Sequence, residues 1–336
     1  MNTLSVCIIA RNEEKNISKC LESIQNIADE IILVDTGSVD NTINIAKNFN
    51  AKIIEVPFEN NFSLARNKAI ENASKDWIFF IDCDEIIDTS QFYKFKEILD
   101  NNKLGFKLEL VNIINNKPYS SNYLVRIIKN NSGFYYYGKF NEKLMNSLYK
   151  EAYIDEIEDT DLIVYNLGFD YGRDRLLDRC NRNIDILLSY NDEDKDFLYY
   201  YYLGNEYYLL KKYTLAINNY VHSFNLNDDL IINSYIAILI IKCYYHLKKF
   251  SKAIFIGESF LLKYNYFREI YLILSLSYKE IDEIDTSRDL FKTYLTLNKN
   301  ELSWYFNTVP FNNKSLLFEF FGFSITSLKD KTNIYT

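Results

Sequence analysis

Only two histidines occur in the chain, His222 and His246, and both lie in its second half. Any metal in the first half must therefore be held by oxygen ligands, and any general base there must be a carboxylate or something weaker. Nine glycines and three prolines among 336 residues argue against a loop-rich all-β protein and for helices. Neither a G-x-G-x-x-G turn nor a G-x-x-x-x-G-K-[ST] loop is present. A diphosphate could not be cradled by backbone in either of those ways and would need a cation to neutralise it. The five cysteines (Cys7, Cys20, Cys83, Cys180, Cys243) are odd in number and form no C-x-x-C pair. That usage suits neither a zinc site nor a disulfide framework and fits a reducing, cytoplasmic setting. No apolar run reaches the roughly 18 residues of a membrane span. Residues 230–241, interrupted by Asn233 and Ser234, predict a buried helix instead. Residues 1–10 are too short for a signal peptide and lack its basic start. No basic run accompanies the net charge of −8, so nucleic acid is not an expected partner.

What is present is a large apolar complement, 48% of residues, which can bury a large core, in a chain whose 336 residues are enough for two domains. Residues 4–10, 31–34, 51–56 and 77–81 are short apolar runs that predict buried strands. Between them lie helical patterns. Ile17, Cys20, Leu21 and Ile24 share one face, Ile43, Ala46 and Phe49 follow a possible cap at Asp40, and a helix is expected from Ser63 through Ala73. This alternation predicts an α/β domain with a mostly parallel sheet, which binds ligands outside the carboxyl ends of its strands. Arg11 to Glu13, Asp35, and the acidic Asp82-Cys83-Asp84-Glu85 all follow strands and should meet at that edge. Strand-end carboxylates are ligands for a hard divalent cation, Mn²⁺ or Mg²⁺, that keeps substrate phosphates as further ligands. Cys83 is expected to pack into the strand end.

Four segments carry a resemblance: Val6-Cys7-Ile8-Ile9-Ala10-Arg11-Asn12-Glu13-Glu14, Asp29 through Asp40, Phe62-Ser63-Leu64-Ala65-Arg66-Asn67, and Asp82-Cys83-Asp84-Glu85. In this order and spacing they resemble family 2 glycosyltransferases of the GT-A fold, over roughly residues 1–172. The resemblance implies an inverting transfer from a nucleoside-diphosphate sugar, most simply a UDP-sugar. It implies that Ala10, Arg11, Asn12, Glu13 and Asp35 contact the nucleoside, with Ser38 in the same donor-binding set. Arg66 would lie near the base or diphosphate; the alternative is a surface arginine paired with an acid. Asp82 would face the ribose side, and Asp84, with Asp82 beside it, would hold the cation. Arg126 to Asn130 and Gly138 to Glu142 resemble the R-x-x-R-N and G-x-x-H-E stretches of a subgroup. Residues 165–169 resemble its later H-x-G-Y. Asn141 and Asn166 replace the family's histidines there, and asparagine can offer an oxygen to a cation but cannot be a base. Glu142 is the candidate base, because an inverting displacement wants a carboxylate opposite the leaving group. Its alternative role is to orient a loop or pair with Lys139 or Lys143.

In the second half, residues 173–195 predict a connecting helix with Leu176, Leu177, Cys180, Ile184 and Leu187 on one face. A repeat then begins within residues 196–300. Tyr200, Leu203, Gly204, Tyr207, Ala216 and Tyr220 fall in register with tetratricopeptide repeats. Ile240, Tyr244, Ala253 and Gly257 occupy equivalent points, and Leu274, Tyr278, Ser287 and Phe291 mark a third, weaker unit. The interval from Ala216 to Ala253 is 37 residues and from Ala253 to Ser287 is 34. Residues 301–336, with Trp304 and Pro310, are expected to cap the array. Such arrays hold extended peptides on a concave face, which suggests a polypeptide acceptor. Two alternatives stand beside it: a glycan or lipid-linked saccharide acceptor in cell-envelope synthesis, and an inactive transferase-like adaptor that binds partners through its repeats.

Overall fold

The computed structural model describes residues 2–148, 155–168, 173–262 and 267–297. The segment expected to cap the array, 301–336, lies outside the described residues. The chain divides into two compact units, the first ending at Ser189 and the second starting at Tyr190.

The first unit follows the alternation seen in the sequence. β1 (Leu4–Ala10), α1 (Ile17–Ile24), β2 (Glu30–Asp35), α2 (Thr42–Asn48), β3 (Lys52–Glu55), α3 (Phe62–Asn72) and β4 (Trp77–Phe80) come in order. Then follow β5 (Glu85–Ile87), α4 (Phe92–Ile98), β6 (Gly105–Ile114), β7 (Lys117–Lys129), β8 (Phe134–Tyr137), β9 (Lys143–Asn146), β10 (Ile157–Asn166) and α5 (Arg173–Leu188). One eight-stranded sheet has the order β3-β2-β1-β4-β7-β6-β10-β5, and β8 pairs with β9 as a separate hairpin. β3, β2, β1 and β4 are mutually parallel. Beyond β4 the sheet is mixed: β7 is antiparallel to both β4 and β6, β10 is parallel to β6, and β5 is antiparallel to β10. The antiparallel turn between β6 and β7 is made by Asn115 and Asn116, both at positive φ (49° and 59°). Two left-handed residues give the primed turn that suits strand twist, and asparagine tolerates it.

Alternate residues of β1 and β4 leave the sheet on opposite faces. Leu4, Val6, Ile8, Trp77 and Phe79 pack against α1 and against Phe95 of α4. Cys7, Ile78 and Phe80 pack with Ala65 and Ala69 of α3 and with Phe134 and Tyr136 of the hairpin. Both faces are covered, so the parallel strands are continuous apolar runs. Each fully buried large side chain contributes about 1.5–3 kcal/mol. The packing leaves the carboxyl ends of β1, β2 and β4 free to present loops.

Among its described residues the second unit has three antiparallel helix pairs: α6 (Phe197–Leu209) with α7 (Tyr213–Leu226), α8 (Leu230–His246) with α9 (Phe250–Leu261), and α10 (Arg268–Lys279) with α11 (Ile284–Thr296). The α/β-then-all-α fold class expected from the sequence is the observed one. The first helix of each pair ends alike. Lys211, Lys248 and Asp282 take positive φ (59°, 56° and 62°). The next residue's N–H returns to a tyrosine carbonyl five residues back: Lys212 to Tyr207, Lys249 to Tyr244, Glu283 to Tyr278, at 2.8, 2.9 and 3.0 Å. This is the Schellman closure, built here without glycine. Among the described residues no helix is long and apolar enough to cross a membrane.

Candidate active site

Two polar assemblies form where the strands of the first unit end. The first joins the loops after β1 and β2. Asn12 turns the chain at φ 56°. Its N–H donates to Ser38 Oγ (2.9 Å), and its Oδ1 accepts from Val39 N–H (2.8 Å). Glu13 N–H donates to Thr42 Oγ1 (2.8 Å), while Ala10 O accepts from Thr36 N–H (2.9 Å). Asp35 closes β2 and is buried. Its Oδ1 accepts from the N–H groups of Gly37 (2.9 Å) and Ser38 (2.8 Å). Its Oδ2 is buried with no hydrogen bond among the described residues. A buried acceptor without a donor is costly, so Asp35 is suited to receive a ligand N–H or O–H. The Arg11 guanidinium lies over the Phe58 ring at 5.8 Å, and Phe58 meets Phe62 at 5.2 Å. Ala10, Arg11, Asn12, Glu13, Asp35 and Ser38 therefore belong to one stitched pair of loops.

The second assembly is a chain of alternating charges. Arg66 Nε donates to Glu142 Oε1 at 2.5 Å, and its Nη2 reaches Asp82 Oδ1 at 3.3 Å. Arg126 of β7 donates from Nη2 to Glu85 Oε1 at 2.7 Å and approaches Asp82 Oδ2 at 3.5 Å. Glu85 Oε2 in turn accepts from Asp82 N–H at 2.9 Å. α3 supplies Arg66, its start fixed by Asn61 Oδ1, which accepts from Leu64 N–H at 3.3 Å. The Arg66 guanidinium lies between the rings of Phe80 and Tyr136, at 5.8 and 5.3 Å from their centres. Asn67 pins the hairpin to the same helix through Tyr136: its Oδ1 accepts from the N–H (2.7 Å) and its Nδ2 donates to the carbonyl (2.8 Å).

Burial disfavours the charged forms here, and the neighbours decide the outcome. Asp82 is pushed up by burial, but Arg66 and Arg126 outweigh this and hold it below the usual aspartate range. Its side chain keeps 36% of its surface open. Burial opposes the charge on Arg66, yet Asp82 and Glu142 keep it firmly protonated. Burial raises Glu85 to about 7 against the pull of Arg126. Tyr136 is raised to about 12, again chiefly by burial. Cys83 is buried, its Sγ is 3.3 Å from Ile9 O, and burial pushes its thiol well up, as befits a packing residue.

Of the residues expected from sequence, Arg66, Asp82 and Glu142 are brought together by direct contact. Arg66 pairs with two acids from inside the cluster rather than lying on the surface. Glu142 pairs with Arg66, not with Lys139 or Lys143. Asp84 is half-buried one residue beyond Cys83, and its carbonyl accepts from Leu167 N–H at 2.9 Å. Glu85, Arg126 and Tyr136 build the site without having been assigned to it. Arg126 carried a signal, a lone charge among Val125, Ile127 and Ile128, which in a central strand means a buried ion pair.

No group of three or more His, Cys, Asp or Glu among the described residues is arranged to hold a metal. The donor set still fits a Mg²⁺- or Mn²⁺-type ion completed by substrate phosphates, which needs only one or two protein carboxylates. Asp84 and Asp82 could supply them.

Residues 5–156 match the family described as glycosyl transferase family 2. This stretch is a family 2 glycosyltransferase domain. The chain is also 30% identical over 236 residues to the SPbeta prophage-derived glycosyltransferase SunS of Bacillus subtilis, covering 66% of this chain and 53% of SunS. It thus spans about half the length of that relative. A TPR repeat-containing protein of Synechococcus elongatus is 38% identical over 100 residues, 30% of this chain and 25% of that protein. Among solved structures, S. aureus TarS 1–349 aligns over 87% of this chain and 91% of its own, at 15% identity and a TM-score of 0.39. The family 2 domain contains both polar assemblies described above.

Proposed function

We propose that this chain is a metal-dependent, inverting glycosyltransferase that moves a sugar from a nucleoside-diphosphate sugar, a UDP-sugar in the simplest case, to a polypeptide side chain. The observation that carries the proposal is the Glu142–Arg66–Asp82 chain of contacts at the strand ends of a family 2 domain.

In this reading the loops after β1 and β2 receive the nucleoside. Asp35 Oδ2, buried and undonated among the described residues, accepts from the base. Ser38 and Asn12 hold those loops together, and Arg11 flanks them on Phe58. A divalent cation held by Asp84, with Asp82 as second candidate, would neutralise the diphosphate as charge builds on it. Glu142 takes the proton of the acceptor group while the acceptor atom bonds to the anomeric carbon. The bond from that carbon to the diphosphate oxygen breaks on the opposite face, and the nucleoside diphosphate leaves. Arg66 occupies Oε1 of Glu142 and so fixes the carboxylate's orientation. The three helix pairs of the second unit support a polypeptide acceptor, since repeats of this kind present extended binding surfaces.

Calorimetric titration of UDP, GDP and dTDP, each with and without Mn²⁺ or Mg²⁺, tests the donor half. Cation-dependent binding of one of them is expected, and no binding under any condition refutes the enzyme reading. Mass spectrometry for glycopeptides in cells with and without the gene tests the acceptor half.

A further inference from the structure

The helix α5 carries arginines at three positions of one face, Arg175, Arg179 and Arg182, spaced i, i+4, i+7. Two of them are anchored to the donor-loop side of the first unit. Arg175 Nη2 bonds both oxygens of Glu13, at 2.8 and 2.9 Å. Arg182 lies over the Phe62 ring at 5.3 Å. Phe62 continues the ladder through Phe58 to Arg11, and it opens α3 one turn before Arg66. The end of α5 is tied down as well, where Lys139 Nζ donates to Ser189 O at 2.8 Å. Ile186, on the same face, is fully buried, so the C-terminal part of this face packs on protein, while Arg175 and Arg182 stay exposed.

Arg179 lies between the two anchors, about one turn from each. Its Nε is buried and makes no hydrogen bond among the described residues, and it forms no ion pair among them. Arg179 is half-buried, so its guanidinium has one covered donor without a partner and can still be reached by a ligand. Its planar donors suit a phosphate, which they can meet with two parallel bonds.

We propose that Arg179 is a donor-binding residue that takes the diphosphate of the nucleotide, with Arg175 and Arg182 as the positioning contacts that hold α5 against the donor loops. The proposal rests on the glycosyltransferase reading above.

The test compares wild type, Arg179→Ala and Arg179→Lys for binding of UDP, GDP and dTDP, and of uridine, which lacks the phosphates. Urea unfolding of each variant checks the fold. The substitution to alanine is expected to weaken the bound nucleoside diphosphate by about ten- to a hundredfold while uridine binding stays unchanged. Lysine, a point charge without the fork, should restore part of that loss. Equal diphosphate affinity in wild type and the alanine variant overturns this role alone. Equal loss for uridine and diphosphate also overturns it, because α5 would then be only a support. A wild-type protein that binds none of the three diphosphates overturns the glycosyltransferase reading and this role together.

Discussion

Arg66 Nε and Glu142 Oε1 stand 2.5 Å apart, although 76 residues separate them in sequence. The contact ties the helix after β3 to the loop of the hairpin, one residue before β9, and each side chain keeps only 13% of its surface exposed. Glu142→Gln keeps the shape and an acceptor for Arg66 but removes the proton-accepting charge. Turnover is expected to fall by about 10²–10⁴ while nucleotide affinity stays within about twofold. Steady-state rates beside calorimetric affinities decide it. If affinity falls in step with rate, Glu142 serves to position Arg66 and is not the base.

Asp84→Asn should leave the protein folded and remove the cation dependence of nucleotide binding. The substitution replaces a carboxylate by a weaker oxygen ligand, and the diphosphate then lacks its counter-charge. Turnover is expected to drop by about two orders of magnitude or more. The check is a calorimetric titration of the nucleotide with and without Mn²⁺, with thermal unfolding as the control for folding. Persisting cation dependence would move the metal assignment elsewhere.

The first four strands were legible because parallel strands buried on both faces are written as unbroken apolar runs. Asp35, Asp82 and Asp84 were legible for the same reason, since each follows such a run. β5 was not, because three residues beginning with Glu85 carry no periodicity. The Glu85–Arg126 pair was hidden by its separation of 41 residues, and pairing across a sheet leaves no local pattern. In the second unit, small and large residues in register disclosed the helix pairs. The helix ends did not show, because lysine and aspartate stand where glycine is the usual signal.

Those helix ends predict a stabilising change. Lys248 holds φ at 56°, a conformation that costs a residue with a Cβ about 1–2 kcal/mol. Lys248→Gly removes that cost and gives part of it back through the freer unfolded chain. A net gain of about 0.5–1 kcal/mol is expected in urea unfolding of the full chain. No gain would mean that the lysine stem packs well enough to offset the strain.

Glu30 predicts a pH dependence. Its Oε2 accepts from Ser5 Oγ (2.6 Å) and Ser74 N–H (2.9 Å), and its Oε1 from Ser74 Oγ (3.1 Å). The carboxylate thus clamps β1, β2 and the approach to β4. Burial pushes its pKa up, but the bonds from Ser5 and Ser74 outweigh that and hold it below the ordinary glutamate range. A depressed folded value stabilises fully above the unfolded pKa of about 4.3 and is lost as pH falls through the folded value. Glu30→Gln should therefore cost about 1 kcal/mol at pH 7, with the gap from wild type narrowing toward pH 3. Urea titrations at both pH values measure it. A gap independent of pH would assign the loss to packing.

The first helix pair comes into close contact at Gly204 and Tyr220. A Cβ added to Gly204 would lie 2.6 Å from two ring atoms of Tyr220. That ring has little freedom: Tyr220 is fully buried, and its hydroxyl donates to Asn205 Oδ1 at 2.8 Å. The Gly204 site differs from Gly257, where an added Cβ would meet the branched end of Leu274, also at 2.6 Å. A leucine can change rotamer, whereas the tethered tyrosine must move with its helix. Gly204→Ala is therefore expected to cost about 1–3 kcal/mol, and Gly257→Ala less. Urea unfolding of the two variants gives the order. Equal costs, or the reverse order, would show that the tyrosine ring does not set the spacing of α6 and α7.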